Sequence, residues 1–276
     1  EVCDWYKGFF DTGVTYTNSV AVDASDGHGS QLRVSVKDAR TDWIVPNTGY
    51  DVQTFSVSAL SKRNKYIEAG VKLTYYRKDS DNLPISGYSN SSPLKSLIWQ
   101  PTSASVDDLY NEWSSGLIRD YYAGVGGIKL CDSSLDNPYF VAYEQLNTMD
   151  RDRIYGNMSV TGHIIPEQLS LTLRAGVDFS NDFRTQQKPQ YSHSYTNGMY
   201  REQTVREYEF NIDFLLKYQR AFLNDRLTLS AAVGGNEMRY SYATTKITAP
   251  ELEIDGVYKL KNSAVTLVTD ASRREK

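Results

Sequence analysis

The sequence predicts an all-β fold, namely a segment of an antiparallel, up-and-down transmembrane β-barrel with long extracellular loops. About eight strands of a larger barrel are expected. Segments with strict apolar–polar alternation exceed the length of ordinary strands, and short turns alternate with long loops along the chain. The chain is also rich in tyrosine, with 21 among its 276 residues. A mean hydropathy of −0.51 agrees with a barrel, because every second strand residue is polar.

The alternation is longest over residues 202–219. One face carries apolar and aromatic side chains: Tyr208, Phe210, Ile212, Phe214, Leu216 and Tyr218. The other face is polar except for Leu215 and carries Glu207, Glu209, Asn211, Asp213, Lys217 and Gln219. Successive side chains of a strand point to opposite faces, and crossing a bilayer takes about 9–11 residues against a usual strand length of about 5–6. This segment therefore predicts a membrane-spanning strand.

Weaker versions of the pattern predict the other strands. They cover 13–23, 30–39, 50–60, 65–77, 153–165, 168–181 and a segment that begins at 226 and ends by 244. Long loops are expected at 40–49, 78–149 and 183–201 and after 244, and the polar end at 272–276 is assigned to no strand. Consecutive antiparallel strands send alternate connections to opposite ends, so the long loops share one end and the short turns share the other.

Two other folds fit the alternation. In a soluble β-sandwich, for instance a carbohydrate-binding module, the apolar faces would form the core between two sheets. In a small eight-stranded outer-membrane barrel, the first and eighth strands would pair. Strand length and the sorting of the loops favour the segment of a larger barrel.

Composition and motifs narrow the function. A net charge of −4 and a pI near 5.5 are unusual for a nucleic-acid partner. The three histidines are scattered and no nucleophile motif or phosphate loop is present, so we expect no metal, no cofactor and no enzyme activity. Cys3 and Cys131 allow one disulfide, although two free thiols are the simpler interpretation. Glu1 begins the chain without a basic and apolar run, and we interpret the chain as an internal piece of a longer protein.

The long segment 78–149 is expected to form an extracellular loop with ligand-binding side chains. Aromatic faces pack against sugar rings, and such a loop would also suit the docking of a partner. The candidates are Trp99, Tyr110, Trp113, Tyr121 and Tyr122. The alternative for each of them is packing within the loop itself. Ser105 with Asp108 predicts a capping box that opens a short helix.

Charged side chains on the polar strand faces are expected to line a lumen. They are Arg174, Asp178, Glu207, Glu209 and Asp213. Paired carboxylates carry out glycosidase chemistry when they lie about 5–9.5 Å apart. Here acids alternate with basic residues at strand period, which favours a charge-balanced, solvated wall.

A set of segments in a fixed order resembles the SusC/RagA family of TonB-dependent outer-membrane transporters over nearly the whole chain. The segments are DWY at 4–6, TGVT at 12–15, DWIVPNTGY at 42–50, NPYF at 137–140, YGN at 155–157, RAGVD at 174–178, NIDFLLKY at 211–218 and GGN at 234–236. The resemblance implies that residues 1–276 are part of the barrel domain, without the plug and the closing strands, and that 78–149 is an extracellular loop.

By the same resemblance, the full protein would lie in the outer membrane of a Bacteroidetes-type bacterium, in contact with its lipid. It would import oligosaccharides or peptides. The implied partners are a SusD-like surface lipoprotein and TonB–ExbBD, the latter acting through the plug.

Overall fold

The computed structural model describes residues 6–83, 85, 91–101, 103–131, 134–224 and 226–276. Within this part of the chain, nine strands form one antiparallel sheet in which each strand pairs with its neighbours in sequence. The strands are β1 (Val14–Ser25), β2 (Gln31–Asp42), β3 (Gly49–Asn64), β4 (Ile67–Ser80), β5 (Asn147–Ile165), β6 (Leu169–Gln190), β7 (Asn197–Phe222), β8 (Leu227–Ala249) and β9 (Val268–Glu275). This up-and-down topology confirms the predicted all-β fold class.

Helices are concentrated in the connection between β4 and β5, residues 81–146, which we call the insertion. They are α1 (Pro93–Ile98), α2 (Val106–Ser114), α3 (Leu117–Ala123) and α4 (Pro138–Glu144). Two short 3-10 helices lie at Lys7–Phe9 and Leu260–Asn262. The predicted capping box is confirmed, because the Ser105 hydroxyl accepts from the Asp108 backbone and the Asp108 carboxylate accepts from the Ser105 backbone.

The prediction of a long loop at 183–201 was wrong. β6 continues to Gln190 and β7 begins at Asn197, so only 191–196 connect them. Likewise β2 and β3 extend until only 43–48 remain between them. Beyond the apolar rows these strands carry polar residues on both faces, so the period of two disappears although the backbone ladder continues.

The assignment of the polar chain end to no strand was also wrong. β9 pairs with the last part of β8, from Ser241↔Glu275 to Thr248↔Val268. Backbone hydrogen bonds hold this pair together regardless of how polar its side chains are, so hydropathy gave no signal for it.

The register gives the sheet one apolar and one polar face. Cross-strand partners share a face. The apolar belt is the set of apolar side chains on one face of β1 to β8, and one rung of it shows the continuity. This rung runs Val20, Val36, Phe55, Tyr75, Ile154, Phe179, Tyr208 and ends at Ser241. We call the opposite side of the sheet the polar face.

The apolar belt crosses the strands obliquely. On β1 the row of large apolar side chains ends at Val22, near the β1–β2 turn. The rung therefore crosses this row at its second-last member, Val20. On β8 the apolar row begins at Leu227 and ends at Val233. The same rung meets β8 eight residues later, at Ser241, nearer to the β8–β9 connection. An oblique belt is the geometry of strands tilted by about 35–45° in a barrel wall.

The two alternative folds do not match this arrangement. All strands in the described residues belong to a single sheet, so no second layer buries the apolar belt as a sandwich would. β8 pairs with β7 and β9, and β1 pairs with β2, so the first and eighth strands do not close a small barrel.

Candidate functional site

The five predicted lumen residues share the polar face. Arg174 is paired with Asp213, Asp178 is paired with Glu209, and Glu207 follows on the same side of β7. The structure brings three of them together. Asp178, Glu207 and Glu209 line a cleft of about 250 Å³ together with Arg151, Arg153 and Ser180. We call this the charged cleft.

Each arginine of the charged cleft binds a carboxylate, and Arg151 shares its carboxylate with Arg184. Arg153 Nε donates to Asp178 Oδ1 at 2.8 Å, and its Nη2 donates to Asp178 Oδ2. Arg151 Nη2 donates to Asp182 Oδ2 at 2.6 Å, where the side chain of Arg184 also binds. The contact between Arg153 and Asp178 uses both carboxylate oxygens, and a bidentate contact of this kind holds the guanidinium group in a fixed orientation.

Glu207 and Glu209 have neutral partners instead. Glu207 accepts from the Tyr240 hydroxyl at 2.8 Å, and Glu209 accepts from Asn211 Nδ2 at 2.7 Å. Among the ion pairs of the described residues, none involves these two carboxylates. The charged cleft therefore combines two arginines that are bound to carboxylates with two carboxylates on β7 that have no ion-pair partner among the described residues.

The other two predicted residues form a separate ion pair. Arg174 Nε lies 2.6 Å from Asp213 Oδ1, nearer to the short turns than the charged cleft is. Acids and bases thus alternate on the polar face as the sequence predicted.

Sequence reasoning missed Arg151 and the tyrosines of this face. The predicted fifth strand began at residue 153, whereas β5 begins at Asn147 and carries Arg151 on the polar face. Tyr155 lies on the same face, with the Arg153 guanidinium 5.0 Å from its ring centroid. The alternation of Arg151, Arg153 and Tyr155 at strand period was the available signal.

The insertion has a small core of its own. One cluster of buried residues joins Leu97, Leu109 and Tyr139 to Phe9 near the chain start and to Val45 of the β2–β3 connection. A second cluster contains Ile118, Cys131 and Phe140. This packing fixes the insertion against the end of the sheet where β2 and β3 meet.

Two of the predicted ligand aromatics mainly pack the insertion. Trp113 stacks on Tyr143 at 4.7 Å between ring centroids, and its Nε1 donates to Glu144 Oε1 at 2.8 Å. Tyr122 is partly buried and accepts a hydrogen bond from Lys129 Nζ at 2.7 Å. Burial raises the pKa of the Tyr122 hydroxyl above its usual range.

The other three predicted aromatics are exposed. Trp99, Tyr110 and Tyr121 each leave about half of their surface to solvent. Tyr110 contacts Trp113 edge-on at 5.6 Å, and Tyr121 contacts Tyr122 at 5.4 Å. These exposed rings remain candidates for contact with a ligand or partner.

Asn137 connects the helices of the insertion. It caps α4 by accepting from the Tyr139 backbone at 2.8 Å, and its Nδ2 donates to the Leu109 carbonyl at 2.7 Å. The same amide group donates to Glu112 at 2.5 Å. Burial has the largest effect on the pKa of Glu112 and raises it. The hydrogen bonds that Glu112 accepts from Asn137 and from the Leu130 backbone lower this pKa by a smaller amount.

The disulfide prediction concerns Cys3, which lies outside the described residues. Cys131 is buried, and its thiol donates to the Leu135 carbonyl at 3.2 Å. Burial raises the pKa of Cys131 to about 12. The thiol therefore stays protonated and unreactive while the insertion is folded.

In the residues the structure covers, no helix has the length and apolarity needed to cross a membrane. Across the same residues, no three or more His, Cys, Asp or Glu side chains are arranged to hold a metal ion.

Solved structures with the same fold are found, although no protein-family model and no curated protein matches the chain. A structure of the RagAB peptide transporter has a TM-score of 0.72 at 14% identity, covering 98% of this chain and 30% of that chain. The RagAB peptide importer in its 'closed-closed' state gives 0.72 at 15% identity, covering 100% of this chain and 30% of the other. In its 'open-open' state it gives 0.73 at 16% identity, covering 98% of this chain and 29% of the other.

These comparisons confirm, as a likeness of fold, the resemblance to SusC/RagA barrels. This chain spans about 30% of the length of the chains it matches.

Proposed function

We propose that this chain is a segment of the wall of a SusC/RagA-type outer-membrane transporter. The apolar belt faces lipid, and the polar face lines the lumen. The insertion lies at the extracellular end. The complete protein imports its substrate with a SusD-like lipoprotein as partner and with energy from TonB–ExbBD, and it is not an enzyme.

The exposed apolar belt is the observation that carries this proposal. Met158 is 53% exposed and Leu173 is 51% exposed, although both lie in strands that are paired with a neighbour on each side. A soluble protein rarely leaves a continuous apolar surface of this extent uncovered. Its oblique course matches tilted strands in a bilayer, and its aromatic residues match the girdles at the lipid interfaces.

The charged cleft favours peptides over neutral oligosaccharides as the substrate. Its arginines and carboxylates are suited to charged side chains and chain termini, whereas neutral sugars need hydroxyl partners and stacking rings. The structures with the same fold are described as peptide importers, which supports the same choice.

Uptake by cells carrying the full-length transporter and its lipoprotein tests the proposal. The double variant Glu207→Gln with Glu209→Gln should reduce the uptake of fluorescent cationic peptides. The amount of transporter in the outer membrane should stay unchanged. Glu237→Gln, on the opposite side of the sheet, is the matched control. Equal uptake by all variants, or uptake of neutral oligosaccharides alone, would contradict peptide import through this wall.

A further inference from the structure

Two loop bodies lie on opposite faces of the sheet at its far end. Lys188 of β6 belongs to the polar face and is only 2% exposed, and its Nζ donates to Gln145 of the insertion at 3.1 Å. On the other side, the connection 250–267 between β8 and β9 packs Leu252 against Tyr200 and Ala249. The tip of the β6–β7 hairpin lies between these two bodies.

Arg119 crosses this tip. Its Nη1 donates to Asp255 Oδ2 of the connection at 3.1 Å, and its Nη2 donates to Glu144 of the insertion. Asp255 Oδ1 in turn accepts from the backbone of Gln190, at the end of β6, at 3.1 Å. Gln190 Nε2 also donates to the Leu252 carbonyl at 2.7 Å. One guanidinium group thus links insertion, hairpin tip and connection.

The Arg119 link is more exposed to solvent than the contact that holds the insertion to the sheet. The insertion is attached through Asp136, which is almost fully buried and accepts from Gln145 Nε2 at 2.9 Å and from the His193 backbone at 2.7 Å. The Arg119 side chain is 39% exposed. Buried polar networks are costly to break, whereas partly exposed ion pairs are weaker and are screened by salt.

We infer that Arg119 is a strap that makes the insertion and the β8–β9 connection move as one body over the β6–β7 tip. The strap is the releasable joint, and the buried contacts on each side are the permanent ones. Its release breaks the direct link between the connection and the insertion without unfolding either, and leaves them joined only through the β6–β7 tip. A displacement of the connection is therefore transmitted directly to the insertion, which covers the polar face at Lys188, while the strap is closed, and only through the tip once the strap is open.

Distances between spin labels in the full-length protein test this inference without any transport measurement. Tyr121→Cys in α3 and Ile254→Cys in the connection place labels on the two bodies at exposed positions, in a Cys3→Ser background. The closed strap predicts one narrow distance distribution. Arg119→Gln and Asp255→Asn should each broaden the distance distribution and move it to longer distances. High salt should shift the distribution of the protein with an unaltered strap in the same direction.

Two controls keep the result decisive. Arg239→Gln removes an exposed ion pair within β8 and should leave the distribution unchanged. In parallel versions without the two label cysteines, Cys131 should remain unreactive to thiol reagents in every variant, which shows that the insertion is folded. If Cys131 becomes reactive in Arg119→Gln, Asp255→Asn decides, because it changes no residue of the insertion. A distribution in Asp255→Asn identical to that of the unaltered protein would overturn the inference.

Discussion

Large apolar side chains are buried in the core of the insertion but exposed on the sheet. In the insertion, Phe140, Leu109 and Ile118 are almost completely buried by other protein residues. On the sheet, side chains such as Met158 and Leu173 remain about half exposed although their strands are paired on both sides. The comparison shows that the insertion carries its own core, whereas the apolar belt is left uncovered by protein, as our proposal that it faces lipid requires.

The largest expected effect comes from opening the core of the insertion. Phe140→Ala should destabilise it by about 3–5 kcal/mol, because a fully buried ring is lost and a cavity remains. The measurement is the rate at which Cys131 reacts with thiol reagents, since Cys131 belongs to the same cluster.

Phe55→Ala, on the apolar belt, is the matched control and should leave Cys131 protected. Equal protection of Cys131 in both variants would contradict the role of Phe140 in the insertion core, and loss of protection in Phe55→Ala would contradict the independence of that core.

The next effect separates the two faces of one strand. Phe214→Arg places a charge on the apolar belt and should cost about 2–4 kcal/mol in folding into lipid bilayers. Leu215→Arg differs by one position and lies on the polar face, so its cost should be close to zero. Urea titration of the full-length protein in vesicles gives both values, and similar costs for the two variants would refute the assignment of the faces.

A smaller effect is expected from the cap of α4. Asn137→Ala leaves the Tyr139 backbone and the Leu109 carbonyl without their partner, which should cost about 1–3 kcal/mol. Limited proteolysis within the insertion measures the loss. Asn111→Ala on α2 is the control because its side chain is exposed, and it should leave the cleavage rate unchanged.

The smallest effect concerns pH. Burial raises the pKa of Glu112 above 4.5, so the folded insertion binds this proton more tightly than the unfolded chain. Its contribution to stability is complete below pH 4.5 and is lost as the pH rises through the raised pKa. Glu112→Gln should remove this part of the pH dependence, read as the slope of Cys131 protection against pH. An unchanged slope would show that Glu112 does not titrate in this range.

The strands were predictable where physics imposes a period on the side chains. β7 was found over residues 202–219, because apolar and polar side chains alternate there between its two faces. β9, the part of β6 after residue 181 and the part of β7 before residue 202 were missed, because their ladders continue past the apolar belt. There, residues such as Ser272 and Arg273 are polar whichever way they point.

The candidate site was predictable in its chemistry but not in its pairing. The sequence gives the charges of Asp178, Glu207 and Glu209 at strand period, and the register then groups them with Arg151 and Arg153. Which arginine binds which carboxylate depends on the offset between β5 and β6, and one residue of offset would have moved every side chain to the other face. The strap through Arg119 joins residues far apart in sequence, and no local pattern predicts it.

A cysteine scan along β7 tests the central claim most directly. Single cysteines at each position from 208 to 218 of the full-length protein, in outer membranes, are exposed to a water-soluble maleimide and to lipids carrying a nitroxide quencher. Even positions should resist the maleimide and, once labelled in the unfolded state with a fluorophore, be quenched by the lipid. Odd positions should react and remain bright. Protection and quenching without a period of two, or with odd positions facing lipid, would contradict the assignment of lipid to the apolar belt and water to the polar face.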